Sequence, residues 1–205
     1  MTSSPLRFNW HRWSAVGLGL FILFHLFNHL MGWVSLQAHE EWMATGRKVY
    51  RQPLLEALLM GCVLIQVMTG MQKVRRKKWA RLAFWDRIQT ASGLYLAFFL
   101  LAHTSAILIG RAGLDLDTDT YFGAWAFQFM PLFFVPYYTL AILAFFGHFG
   151  ALCYWGMTAG GKERTGKILG WSFLGLGVSI AVVIVLVFLQ FRYAIPLPDV
   201  YQPYL

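Results

Sequence analysis

The chain has little charge: only 13% of its 205 residues are Asp, Glu, Lys or Arg, whereas 58% are hydrophobic. A soluble domain of this length needs more charge to cover its surface, so the composition indicates a membrane protein instead. Cysteine is also scarce. Cys62 and Cys153 each lie inside an apolar run, so neither a disulfide framework nor a cysteine-based metal site is expected.

Acidic residues are the scarcer of the two charge types, with 9 Asp and Glu against 17 Lys and Arg, which gives a net charge of +8. Such a balance could suggest a nucleic-acid partner. However, the cations lie between long apolar stretches, where they act first as signals for membrane topology. We therefore expect membrane lipid around this chain and no nucleic acid.

Long apolar stretches dominate the sequence. Five of them can cross a hydrocarbon core about 30 Å thick, which takes roughly 20 helical residues. Backbone polar groups cannot stay unpaired in lipid, so these stretches should be helical. The sequence predicts one all-α transmembrane domain over residues 1–205, a multi-pass bundle. The predicted spans are approximately residues 13–34, 53–74, 88–110, 132–155 and 168–191.

The loops predict the orientation of the bundle. The basic run Lys73–Arg81 joins the second and third spans, and three more cations join the fourth and fifth: Lys162, Arg164 and Lys167. Positive loops stay in the cytoplasm, so the N-terminus should lie inside and the C-terminus outside the cytoplasmic membrane. The loop between the third and fourth spans is acidic, with Asp115, Asp117 and Asp119. The first outer loop conflicts with this assignment, because it carries Arg47, Lys48 and Arg51.

Four of the six histidines lie inside predicted spans, namely His25, His29, His103 and His148. An ionisable residue within a membrane span is costly and marks a candidate functional site. A neutral imidazole is a common axial ligand of haem iron. Two imidazoles can share one iron only if they lie at similar depth on facing helices.

Depth separates these histidines into two levels. At a rise of about 1.5 Å per residue, His25 lies roughly 18 Å above the inner face and His103 roughly 22 Å, whereas His148 lies roughly 6 Å above it. His25 and His103 are therefore the predicted ligand pair in the outer half of the membrane. His148 cannot share their iron. A single membrane histidine can also be an ordinary hydrogen-bonding residue, and the matching depths favour ligation.

His29 lies one turn after His25, on the same helical face and closer to the outer surface. It could replace His25 as the ligand, donate a hydrogen bond to a quinone or a haem propionate, or lie at the aqueous rim. His25 is the preferred assignment.

The local contexts of these histidines follow a recognisable order. His25 lies in Phe24–Asn28, His103 follows Ser92-Gly93-Leu94, and His148 lies in Phe146–Leu152. Over Trp10–Phe191 this order and spacing resemble the five-helix cytochrome b subunit of succinate dehydrogenases and fumarate reductases. The resemblance implies an outer haem between the first and third helices, and an inner haem between the second and fourth with His148 as a ligand.

Two further segments bear on this resemblance. His11-Arg12-Trp13-Ser14 is similar to a His-Arg-x-Ser element of the family, which implies that His11, Arg12 and Ser14 contact a quinone head group or a haem propionate. The alternative is an ordinary interfacial arginine among aromatic residues. On the second helix, Gln66 stands four residues before Gly70, where the family has a ligand histidine. Glutamine is a poor haem ligand, so one haem is expected, or two if the inner site is retained.

The resemblance implies a membrane-anchor cytochrome b subunit of an oxidoreductase complex, which has no catalytic activity alone. Its cofactors would be haem b and a quinone, either menaquinone or ubiquinone. Its partners would be a flavoprotein subunit and an iron–sulfur subunit on the cytoplasmic side. Two alternatives remain open: a cytochrome b anchor of another membrane dehydrogenase, and a transporter or assembly protein without a cofactor.

Glu56, near the outer end of the second span, could take part in quinol deprotonation or act as an anion in a first helical turn.

Overall fold

The computed structural model describes residues 9–204, and seven α-helices and no β-strand occur in that range. Residues 1–8 and 205 of the predicted domain lie outside it. The helices are α1 (Trp10–Met31), α2 (Leu36–Tyr50), α3 (Pro53–Arg75), α4 (Phe84–Gly113), α5 (Thr120–Phe129), α6 (Pro131–Ala159) and α7 (Glu163–Phe188). Short 3₁₀ turns lie at Trp79–Arg81 and Asp199–Tyr204. By length and composition, α1, α3, α4, α6 and α7 can each cross a membrane, which confirms the predicted all-α bundle of five spans.

The ends of the spans differ from the prediction where polar residues extend a helix. α1 begins three residues early because the side chain of Asn9 accepts a hydrogen bond from the backbone N–H of Arg12. α7 begins at Glu163 and not near residue 168, and Lys167 forms an ion pair with Glu163 one turn away at 2.8 Å. The cations predicted to lie in a loop thus belong partly to the first turns of α7. Long charged side chains can extend from such a turn to the membrane surface.

The first outer loop is mostly helical. Ser35 caps α2 by accepting a hydrogen bond from the backbone N–H of Ala38, and α2 then buries one face through His39, Met43 and Gly46. This helix was not predicted, because its mean hydropathy is too low for a span. Its polar face contains most of the cations that conflicted with the predicted orientation.

The aspartates of the second outer loop have structural roles. Asp119 caps α5 by accepting hydrogen bonds from the backbone N–H groups of Tyr121 and Phe122. Asp117 forms ion pairs with Arg47 of α2 and with Arg51, the residue that follows this helix. The acidic loop therefore neutralises part of the positive charge of the first outer loop, but acidic residues count for little in the rule that predicted the orientation, so the conflict stays. The orientation of the bundle in its membrane stays a prediction.

The tightest packing joins α6 and α7, with α4 against the other side of α6. A Cβ at Gly150 would lie 2.9 Å from the carbonyl oxygen of Gly170, so the two backbones nearly touch. Ala181, Ile184 and Phe188 of α7 are buried beside Phe146 of α6. This rigid pair supports one wall of the space in which the histidines meet.

Candidate functional site

A large cavity lies between the helices in the half of the bundle that α2 and α5 cover. The centre of a water molecule can occupy about 230 Å³ of this cavity. For comparison, an apolar cavity of roughly 150 Å³ can bind benzene. With its open mouth the space reaches about 1700 Å³. Its walls are mainly aliphatic and aromatic, with few polar side chains. The cavity therefore has the mainly apolar lining, with a few polar groups, that is typical of a site for an organic ligand.

His25 and His103 both line this cavity, and their ring centres lie 6.2 Å apart in an edge-on arrangement. Nε2 of His25 lies 3.1 Å from Nε2 of His29, so His25 would have to give up that contact to bind an iron through Nε2. Each ring is stacked on a phenylalanine four residues earlier in its own helix, His25 on Phe21 and His103 on Phe99. Two imidazoles that bind one iron from opposite sides, with bonds of about 2 Å, have ring centres about 6 Å apart. The structure thus brings together the two residues predicted to share an iron, and their role as ligands stays a prediction.

His29 connects His25 to a histidine that the sequence did not single out. Its Nε2 lies 3.1 Å from Nε2 of His25, and its Nδ1 lies 3.1 Å from Nε2 of His39. Each neutral imidazole has one donor and one acceptor, so the protons in this chain of three rings must point the same way along it. His29 also lines the cavity, between these two rings.

His39 is fully buried although it belongs to the amphipathic helix α2. Burial, with a smaller contribution from the nearby His25, lowers the pKa of His39 from an ordinary 6.5 to about 4, so the ring is neutral at neutral pH. The sequence contains one indication that His39 is buried, because His39 lies on the same face of α2 as Met43 and Gly46. That signal was insufficient, because nothing local predicts that α2 folds over the end of α1.

The outer end of the cavity is polar. Glu56 forms an ion pair with Arg111, and both side chains line the cavity. Arg51 lines it as well and donates a hydrogen bond to the hydroxyl of Thr118 at 2.7 Å. Because Glu56 is in the first turn of α3 and also pairs with Arg111, it has both a favourable helix position and a specific partner.

The residues predicted to bind quinone or propionate lie at the other end of α1, away from this cavity. Nδ1 of His11 lies 2.7 Å from the hydroxyl of Thr69. That hydroxyl donates to the carbonyl of Ile65, so His11 donates from Nδ1 and keeps Nε2 as its acceptor. Arg12 is exposed, and Ser14 is buried with its hydroxyl donating to the carbonyl of Trp10 at 2.6 Å.

Gln66 uses its amide to link two helices. Its Nε2 donates to the carbonyl of His11 and, at 2.8 Å, to the hydroxyl of Ser14. The side chain that stands at the family's inner ligand position therefore joins α3 to α1. Ser14 both donates and accepts within the protein, which makes it a positioning group for its neighbours.

His148 lies against the inner half of α4. Its Nδ1 is 3.0 Å from the carbonyl of Gln89, which can only accept, so Nδ1 carries the proton. The hydroxyl of Ser92 lies 3.2 Å from the same nitrogen. The ring edge sits over Gly93, where a Cβ would come within 3.1 Å. His148 is not among the cavity-lining residues, which agrees with its predicted separation from the outer pair.

The described residues offer no cluster of three or more His, Cys, Asp or Glu side chains that could hold a bare metal ion. Haem has a different requirement, because the macrocycle supplies the other iron ligands and the protein adds axial ones. An apolar cavity with imidazoles from two different helices close together and a polar end meets that requirement. The residues present at the outer site therefore fit a haem.

Comparison with known protein families, with curated proteins and with solved structures finds no match to this chain. The functional inference therefore rests on the residues and on the geometry of the site.

Proposed function

We propose that this chain is the membrane-anchor cytochrome b subunit of a succinate:quinone oxidoreductase or fumarate reductase in the cytoplasmic membrane. The observation that carries the proposal is the proximity of His25 and His103, whose ring centres lie 6.2 Å apart in an apolar cavity. The five membrane-spanning helices and the resemblance of the histidine pattern support it. The chain supplies ligands, orientation and a low dielectric to a redox group.

In this proposal His25 and His103 are the axial ligands of haem b, and His29 is the alternative to His25 on the same helix. Haem b would supply one-electron transfer between the iron–sulfur subunit and the quinone. The phenylalanines stacked on the two rings hold each imidazole in place, and the aliphatic walls exclude water. The ion pair of Glu56 and Arg111 provides polar groups only at the outer end.

Two regions could contact the quinone. At the inner end, His11 keeps Nε2 as an acceptor for a quinol hydroxyl, while the exposed guanidinium of Arg12 can donate to a carbonyl oxygen or a propionate. Ser14 holds this segment through Gln66. At the outer end, Glu56 lines the cavity and could accept a proton from a quinol. We prefer the site at His11 and Arg12 for the quinone head group. The variant His11→Ala distinguishes the two sites, because it should lower the affinity for a quinone bound at the inner end and leave the affinity for one bound at the outer end unchanged.

The cytoplasmic partners in the proposal are a flavoprotein and an iron–sulfur subunit. Between α3 and α4 lies an exposed basic segment, residues 75–81, on the end of the bundle opposite α2 and α5. Its charge suits an acidic docking surface on a partner. Purification of the chain with a covalently flavinylated subunit would distinguish this complex from a cytochrome b anchor of another dehydrogenase.

The optical spectrum of the purified protein tests the proposal. A reduced-minus-oxidised spectrum should contain a b-type band that His103→Ala removes. Thr104→Ala is the matched control, since Thr104 also lines the cavity and its hydroxyl bonds within α4. His25→Ala and His29→Ala, measured side by side, identify the ligand on α1. A wild-type protein without a b-type band would favour a cofactor-free transporter or assembly protein instead.

A further inference from the structure

His39 has a role that the proposed ligand pair leaves unexplained. It comes from α2, outside the membrane spans, yet its side chain has no exposed surface. A fully buried polar side chain costs free energy unless it is hydrogen-bonded. Its Nε2 is bonded to His29, whereas its Nδ1 is buried without a hydrogen-bond partner. Burying His39 therefore costs free energy, and its one hydrogen-bonding contact is with His29 of the histidine cluster.

The surroundings of His39 hold the ring in one place. A Cβ at Gly32 would come within 3.2 Å of Nδ1 of His39, so glycine is needed there for the ring to approach the end of α1. The ring of Phe188 packs against both His29 and His39, with ring centres 5.5 and 5.9 Å away. His29 is thus enclosed by His25, His39 and Phe188.

We infer that His39 is a positioning residue that fixes the imidazole of His29 with its Nε2 directed at Nε2 of His25. The inference rests on the proposed haem site. A histidine at a metal site commonly has its second ring nitrogen hydrogen-bonded to a neighbouring group, which sets both the ring orientation and the tautomer. His39 provides that partner to Nδ1 of His29. Whether His29 ligates the iron itself or lies next to a ligating His25, its orientation shapes the environment of the bound haem.

The test compares two substitutions of similar shape in the haem-loaded protein. His39→Gln keeps an amide that can hydrogen-bond with Nδ1 of His29, whereas His39→Met fills the same space without a polar group. We expect the low-spin ferric electron paramagnetic resonance signal to shift and broaden in His39→Met and to stay close to the wild-type signal in His39→Gln. Loss of haem from His39→Met alone, with unchanged helical circular dichroism, would support the inference in the same way.

Two outcomes would overturn this role. If His39→Met keeps the wild-type signal, or if both variants shift alike, the hydrogen bond does not position His29. A wild-type protein that binds no haem would overturn the proposed function together with this inference. A wild-type haem signal with an unaltered His39→Met variant would overturn the positioning role alone, so the two failures are distinguishable.

Discussion

Single side chains decide how many redox groups the bundle can hold. Gln66 occupies the position of an inner ligand in the cytochromes that the histidine pattern resembles, and here its amide donates to the carbonyl of His11 and to Ser14. His148, its expected partner, donates to the carbonyl of Gln89 on another helix. Gln66 thus serves a contact between helices, whereas the Nδ1 bond of His148 leaves its Nε2 free and is compatible with ligation. In the proposed function, Gln66 is therefore the residue that argues against a second haem.

The link made by Gln66 predicts a change in stability. Gln66→Ala removes two hydrogen bonds between α3 and α1, each worth about 0.5–1.5 kcal/mol, so we expect a loss of about 1–2 kcal/mol. Met68→Ala is the control, because Met68 is 63% exposed on the same helix. Thermal unfolding in detergent measures both. Equal melting temperatures for the two variants would contradict the structural role of Gln66.

The positions of the histidines along the membrane spans could be predicted from the sequence, whereas the contacts between separate helices could not. The depths of His25 and His103 follow from helix geometry, because a span fixes the position of each residue along the membrane normal. His39 and the pairing of Glu56 with Arg111 depend on how separate elements fold together. No local pattern contains that information. The sequence therefore predicted that His25 and His103 come together but missed His39, the third histidine of the hydrogen-bonded chain.

At the scale of elements, the five spans were predictable and the two short helices were not. A stretch of about 20 apolar residues has few alternatives to a membrane helix. α2 has mixed polarity, and α5 has only 10 residues, so neither has the hydropathy signature of a span. Both became helical through local caps at Ser35 and Asp119. Their positions over the outer end of the bundle depend on tertiary contacts such as the ion pairs of Asp117.

The close contact of α6 and α7 predicts which glycines tolerate alanine. A Cβ at Gly150 would lie 2.9 Å from the carbonyl oxygen of Gly170, so Gly150→Ala must push two backbones apart and should cost about 1–3 kcal/mol. Gly156→Ala, on the same helix, meets no atom within 4 Å and should be neutral or slightly stabilising. Thermal unfolding of the two variants distinguishes these effects. A stable Gly150→Ala protein would show that the two helices can separate freely.

At the scale of the whole molecule, one end of the bundle is covered and the other is basic. Beyond α7, the C-terminal segment folds back over the covered end, where Tyr201 donates to the carbonyl of Asp117 and Ile195 is buried. α2 and α5 lie at this end as well. The segment joining α3 and α4 lies at the opposite end. In the predicted orientation the covered end faces outward and the basic end faces the cytoplasm, and this assignment stays a prediction.

The orientation is testable with single cysteines in a chain whose Cys62 and Cys153 are replaced by serine or alanine. We expect a membrane-impermeant maleimide added to intact cells to label Asp115→Cys and to leave Lys78→Cys unlabelled. Permeabilised cells should show labelling at both positions, which controls for reactivity. Labelling of Lys78→Cys in intact cells would reverse the assignment of the two faces and move the proposed docking surface to the wrong side.

The most direct measurement is the ratio of haem to protein in the purified wild-type chain, taken together with its ferric resonance signal. A cavity with one close imidazole pair from two different helices predicts one haem b per chain, in a low-spin state with two histidine ligands. A purified, folded protein without haem would contradict the proposal that His25 and His103 hold an iron between them.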